Sequence, residues 1–488
     1  MAVAQGQCPQ CGAPITFGVG ASVSQVCKYC RHEVVRTDRD LKNMGRVADL
    51  APVPSLVAVD DTGTIDGQRI RVAGRVQLDH GAGPWDEWYI AFQDGRWGWL
   101  ASAQGNWYVT LAVTPPALPP FEHVHVEQQI SLGASGTFVV AEKKRGTITS
   151  GEGELPFEVR AGQTRAYADL HGPNGGFATI DYGDGSATPT LFVGMQRPEG
   201  ALKIEARSER PVQEIGAEAI TCPNCGGNVP ALAPQRSERL ACPYCNAVSE
   251  IAGRRVVAQQ QAARMSPDIP LGSRGALDGQ EYVVCGYVER ASDEFAWQEY
   301  LLFGPGLGFR WLVKDESTWL FVTPISIADV DTSSMPRAAG YRGQRYTLRN
   351  RNPARVTYVL GELYWKVQIG EAVEAMDFTH GGAVLSRERA GDEVAWSVCT
   401  PKPWHELAAA FKLDPSGAGS QLQAPAAVFG GGGGGGGGDT SMMTIGIVIA
   451  IVVLIIVCGV CSGSCSGGGG SSTGGGTWGS SGSSRGGK

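Results

Sequence analysis

The chain has 488 residues, 42% of them hydrophobic and 18% charged, which allows several separate cores and excludes a wholly disordered protein. Its formal net charge of −7 argues against a dedicated nucleic-acid binder. Glycine is in excess at 69 residues, and 25 of them crowd into residues 417–488.

The chain opens on a cysteine pattern. Cys8 and Cys11 are followed by Cys27 and Cys30, so that C-x2-C comes twice within a short span. Two such knuckles aim four thiolates at one point and complete a tetrahedron, the arrangement of a structural zinc site. A disulfide framework or redox dithiol accounts for a single C-x2-C better than for this grouping. Iron held as in a rubredoxin is the metal alternative. The proline within Cys8–Gly12 fixes the turn, and the glycine lets backbone amides approach the sulfurs. Residues 1–46 read as a first zinc ribbon, whose metal supplies much of its folding energy. Six Lys/Arg against three Asp/Glu in residues 1–47 is too small an excess to make it a nucleic-acid site. Leu41–Leu50 reads as a helix.

Residues 54–205 read as a β-module. Gln68–Val76 alternates after the turn signal Asp66-Gly67, and Glu87–Phe92, Arg96–Leu100 and Trp107–Val113 follow as strands. Thr137–Ala141, Leu155–Arg160, Arg165–Leu170 and Phe177–Tyr182 continue the pattern. Short strands between glycine-rich turns predict an antiparallel sandwich or barrel. Trp85, Trp97, Trp99 and Trp107 are read as aromatic core, with a ligand platform as the alternative. Trp97 and Trp99 share a strand face, so they should be buried or exposed together. His123 and His125 share a face of a possible strand, without a third ligand for a metal.

The pattern then repeats. Cys222, Cys225, Cys242 and Cys245 form a second ribbon over residues 218–256, and a second β-module covers 268–405. One offset of 212 carries Gly74 onto Gly286, Trp85 onto Trp297, Glu87 onto Glu299, Trp99-Leu100 onto Trp311-Leu312 and Trp107 onto Trp319. An offset of 208 carries Gly153-Glu154-Leu155 onto Gly361-Glu362-Leu363 and Asp169 onto Asp377. Glu87 with Glu299, and Glu154 with Glu362, are therefore charges common to both copies. A carboxylate inside W-x-E-[WY] is a weak candidate for acid or base chemistry, which makes Glu87 and Glu299 the only catalytic candidates. More often such a glutamate accepts bonds from backbone amides or a tryptophan N–H. No histidine or cysteine of the modules is shared by both copies, so no duplicated triad is present. Cys285 reads as packed, and Cys399 with His405 as an inert thiol and its chance neighbour in sequence. Val256–Met265 and Trp404–Leu413 read as helices.

Residues 414–441 are a flexible glycine-rich linker. Residues 442–461 are twenty positions without a charge, long enough at about 1.5 Å each to cross a bilayer as one helix. The tail, 462–488, is Gly/Ser-rich and reads as disordered. Cys458, Cys461 and Cys465 lie at helical spacing around the end of the span, as small apolar residues or as points of acylation. The N-terminus has neither a charged n-region nor an apolar h-region, and the ribbons need reduced thiols, so the bulk of the chain is expected on the cytoplasmic side.

Together these motifs resemble a bacterial family, the domain of unknown function numbered 4178. The resemblance rests on Asp-Gly before a strand, W-x-E-[WY], the Trp-Leu pair, a later Trp, G-E-L-x-[FW] and a distal Asp, in two copies. It implies no catalytic residue. It does imply a setting beside spermidine-synthase-like enzymes and small membrane proteins, hence a membrane-linked polyamine or stress system. The fold class expected is mainly β: two zinc-ribbon plus β-module units, a single transmembrane helix and a disordered tail. The function expected is a non-enzymatic, single-pass scaffold at the cell membrane, with two structural Zn2+ ions and a protein partner. An enzyme or enzyme accessory using a module carboxylate, and nucleic-acid binding through the ribbons, are the alternatives.

Overall fold

The computed structural model describes residues 4–416 except 38–40, 52, 54, 81–83, 104, 186–187, 207–218, 234, 261–265, 294 and 316–317. Alternating side chains build the first module. Gln68–Asp79 pairs with Pro84–Phe92, then come Trp97–Ala103 and Asn106–Val113, each antiparallel to the last. A second meander runs through Thr137–Leu155, Thr164–His171, Gly176–Gly183 and Thr190–Pro198. The meanders join at both edges. Asn106–Val113 pairs with Thr190–Pro198, and the far half of Thr137–Leu155 pairs with Gln68–Asp79. These eight strands close into a barrel, which decides between barrel and sandwich.

The second module repeats the closure with Gln280–Ala291, Ala296–Gly304, Gly308–Asp315 and Thr318–Ile325, then Gln344–Leu363, Ala372–His380, Ala383–Ala390 and Glu393–Pro401. The register is the same. Val76 faces Glu87 and Leu78 faces Trp85 in the first barrel; Val288 faces Glu299 and Arg290 faces Trp297 in the second. The copies part company at one edge. Thr62–Ile65 is flanked by the strand Leu202–Ala206, whereas its counterpart Arg274–Leu277 is covered by the helix Trp404–Phe411. Trp404 stacks on Trp319 there, with ring centroids 5.4 Å apart.

Each ribbon extends its barrel's sheet. Ser24–Val26 pairs with Gly153–Leu155, and Arg239–Ala241 pairs with Gly361–Leu363. The crossing requires two glycines. Gly153 (φ 71°) faces Gly74, and a Cβ on Gly74 would lie 1.7 Å from the Glu154 carbonyl oxygen. Gly361 (φ 76°) and Gly286 repeat this in the second unit.

The two units touch at several places, among them the Arg236–Glu199 ion pair and the Lys366 ammonium on the Pro84 carbonyl, and along one edge their strands pair. Glu142 pairs with Glu393, and the Lys143 N–H donates to the Asp392 carbonyl at 2.9 Å. The Lys144 ammonium lies between the two carboxylates, 2.5 Å from Glu142 and 2.7 Å from Glu393. Arg387 forks onto Glu127 at 2.7 and 2.6 Å. Ala141 of the first unit joins an apolar cluster with Met376, Phe378 and Trp396 of the second.

Three local expectations are corrected. Leu41–Arg46 is a strand, hydrogen-bonded to His32–Arg36 as the outer strand of the first ribbon. Val256–Gln259 is the matching strand of the second. Leu155 ends the long strand Thr137–Leu155, and no strand covers 156–160. The helix at Trp404–Phe411 is present. The expected span 442–461, the tail, and Cys458, Cys461 and Cys465 lie outside the described residues. Among the described residues no helix is long and apolar enough to cross a membrane.

Candidate functional site

Each cysteine set converges. The four sulfurs of Cys8, Cys11, Cys27 and Cys30 lie within 4.8 Å of one another, as do those of Cys222, Cys225, Cys242 and Cys245. All eight are free thiols. The Sγ–Sγ distances are 3.7 Å for Cys8–Cys30 and Cys222–Cys245, and 3.8 Å for Cys11–Cys27 and Cys225–Cys242. A tetrahedron with metal–sulfur bonds of about 2.3 Å has edges of about 3.8 Å, so the donor sets fit a metal ion such as zinc. The knuckles are alike: Gly12 donates its N–H to the Cys8 carbonyl and Gly226 to the Cys222 carbonyl, both at 2.9 Å. Without a metal the thiols compete. Burial pushes Cys30 and Cys242 up to about 12. Cys245 is lowered to about 7, because hydrogen bonds from Asn224 and the Ala247 amide outweigh its burial.

The glutamate of each G-E-L motif holds its ribbon. Glu154 Oε2 accepts the Gly18 and Val19 N–H groups at 3.0 and 2.9 Å and the Ser22 hydroxyl at 2.8 Å. Its other oxygen takes the Arg71 guanidinium at 2.6 Å. Glu362 accepts from the Leu232 amide, from the Ala233 amide at 2.9 Å and from the Ser237 hydroxyl at 3.0 Å. A carboxylate suits this task because it only accepts, and a ribbon loop of short turns offers unpaired N–H groups.

The glutamate of each W-x-E-[WY] motif sits inside its barrel. The indole N–H of Trp85 donates to Glu87 at 3.1 Å, and that of Trp297 to Glu299 at 2.8 Å. Burial pushes both carboxyls above the usual range. Beyond that they diverge. Glu299 takes the Arg290 Nε–H at 3.0 Å, with both side chains 0% exposed. Glu87 is half-buried and opens on a cavity. The distal aspartates are held alike, Asp169 by the Thr179 hydroxyl at 2.6 Å and Asp377 by the Ser386 hydroxyl at 2.7 Å.

Trp107, Trp297, Trp311 and Trp319 are buried. Trp97 and Trp99 are both half-buried and both pack on Tyr89. These rings are core rather than an open platform. Cys285 and Cys399 are fully buried in the second barrel, and His405 is exposed on the terminal helix, so they form no nucleophile–base pair. His123 ends a short 3-10 turn and His125 lies in a loop, both exposed. Sequence reasoning missed Arg290, Asp181 and Tyr167. Arg290 stands where the first copy has Leu78, so comparing shared residues passes over it.

A family model described as Domain of unknown function (DUF4178) matches residues 58–198 and 270–403. No curated protein and no solved structure matches the chain.

Proposed function

Because the chain belongs to the DUF4178 family, whose description names no activity, we propose its function from geometry and sequence: a non-enzymatic scaffold of two zinc-holding units at the cytoplasmic face of a membrane. The observation that carries this reading is how the shared carboxylates are used. Glu154 and Glu362 fasten ribbons to barrels, and Glu299 is neutralised by Arg290 in a closed interior. Charges committed in this way serve assembly. Zinc suits the four-thiolate sets, with each ribbon fixed to its barrel by a carboxylate latch and a shared strand. The uncharged stretch 442–461 serves as a single membrane anchor, and the glycine-rich segment before it lets the units reach a protein partner near the bilayer. Two similar units side by side favour two-point attachment, where the second contact benefits from high effective concentration. The setting is a membrane-linked polyamine or stress system.

The test is crosslinking in intact cells, detergent extraction and mass spectrometry, beside a chain lacking residues 417–488, with metal content measured on the purified protein. One partner in near-stoichiometric amount that needs the anchor, and two zinc ions per chain, are expected. A full-length chain that fractionates as soluble, or that gives no recurring partner, overturns the scaffold reading.

A further inference from the structure

The two barrels carry the same carboxylate with different company. In the second, Arg290 stands on the strand facing Trp297 and gives its Nε–H to Glu299, sealed from solvent. In the first, the residue at that position is Leu78, which faces the matching Trp85 and offers no cation to Glu87. No basic group hydrogen-bonds Glu87 among the described residues. Arg165 shares the cavity beside it but is paired with Asp181 at 2.5 Å, which leaves Glu87 and Asp169 as the carboxyls there without a basic partner, and Lys144 is held between Glu142 and Glu393. What lies beside Glu87 is a cavity of about 90 Å³ inside the barrel, lined among others by Leu78, Tyr167, Asp169 and Asp181. It adjoins a second cavity of about 120 Å³, also lined by Glu87, Tyr167 and Asp169, that reaches Arg236 and Tyr364 of the other unit.

Two further observations point to an occupant. Tyr167, only 9% exposed, lines both cavities with a buried hydroxyl that has no hydrogen-bond partner among the described residues. Trp99, Phe157 and Phe192, the aromatic core packed against this space, also line the cavity beside the carboxylates, and aromatic neighbours suit an organic cation. A metal ion is a poorer fit. Among the described residues only the two cysteine sets bring three or more ligand atoms within 4.8 Å of one another.

We propose that the first barrel binds a small organic cation, a guanidinium or primary ammonium ion on a short apolar stem, with its charged head on Glu87. The ligand occupies the place that the second barrel fills with its own Arg290. The duplication thus pairs a binding copy with a copy closed by a built-in substitute for the ligand.

The experiment is calorimetric titration of the purified full-length chain with n-propylguanidinium, which reproduces the arginine side chain, with n-propylammonium, and with neutral n-propylurea. Saturable binding of one cation per chain is expected, with no binding of the urea. Which of the two cations binds more tightly identifies the head group. Glu87→Gln weakens binding by about 30-fold or more, the usual result of losing one partner of a desolvated charge pair. Leu78→Arg, which imports the second barrel's residue, abolishes it. Absence of saturable binding by either cation, equal binding of the urea, or a Glu87→Gln chain within about two-fold of the parent overturns the proposal. Should Leu78→Arg fail to fold, the urea comparison and Glu87→Gln still decide.

Discussion

Replacing Glu154 by alanine should release the first ribbon while leaving its barrel closed. The carboxylate accepts three bonds from the ribbon, two from backbone amides and one from Ser22, and its side chain is 4% exposed. A hydrogen bond to a charged acceptor contributes about 1.5–3 kcal/mol, and the contributions do not add fully. The Arg71 pair adds little, since that guanidinium is a third exposed and screened by water. Two amides and a hydroxyl left without a partner bring the loss to about 3–5 kcal/mol, confined to ribbon docking. In exchange terms this is about two to four orders of magnitude in local opening. Hydrogen–deuterium exchange on the metal-loaded protein would read it at residues 18–26, with 70–76 as the internal reference. Glu154→Gln keeps an acceptor oxygen and should fall between the two, and Glu362→Ala should loosen the second ribbon instead. Unchanged protection at residues 18–26 in Glu154→Ala would refute the latch.

Arg290→Met leaves Glu299 buried without its counter-charge and should cost about 3–5 kcal/mol in denaturant unfolding, and the double variant with Glu299→Gln should recover much of it. Equal loss in the single and double variants would count against a buried pair. Burial, opposed by Lys144 and reinforced by Glu142, pushes the Glu393 carboxyl up to about 8. The folded protein keeps a proton there that the unfolded chain gives up at an ordinary carboxylate pH. This contribution is complete at low pH and is lost as pH rises through about 8. Stability should therefore fall between pH 5 and 8, by at most about 1.4 kcal/mol per pH unit, and Glu393→Gln should flatten the slope. A denaturation midpoint that stays level or rises over that range would contradict it.

Much of this architecture was legible from cysteine spacing and from one constant offset. Trp85, Glu87, Gly74 and Glu154 coincide with their second-copy counterparts because each has a fixed geometric duty. Gly74 must pass under a carbonyl, and Glu154 must reach a ribbon amide. Closure was not legible, since it depends on Asn106–Val113 meeting Thr190–Pro198 with three other barrel strands between them in sequence. Leu41–Leu50 reads as a helix in the sequence. The same stretch instead completes a ribbon by pairing with His32–Arg36, and Gly45 at φ 111° breaks the helical option. Val256 misleads in the same way at the equivalent place, so the error belongs to the ribbon as a motif. Glu87 stands out in the sequence as a weak acid–base candidate, but the difference beside it, Leu78 against Arg290, was not legible, because comparing the copies reports only what repeats.

The long strand Thr137–Leu155 is also a mechanical element. Its nineteen residues cover about 60 Å, and along that length it borders, in turn, the second meander, the first meander and the ribbon. It also carries Glu142 and Lys144 at the contact with the other unit. Gln344–Leu363 is its twin. Each runs unbroken from ribbon to barrel wall, with register shifts at Val140/Glu142 and Ile148/Ser150 in the first and at Leu348/Asn350 in the second. Because the strand that borders the ribbon is also a wall of the barrel, a pull on the ribbon loads the barrel directly, with no linker between them.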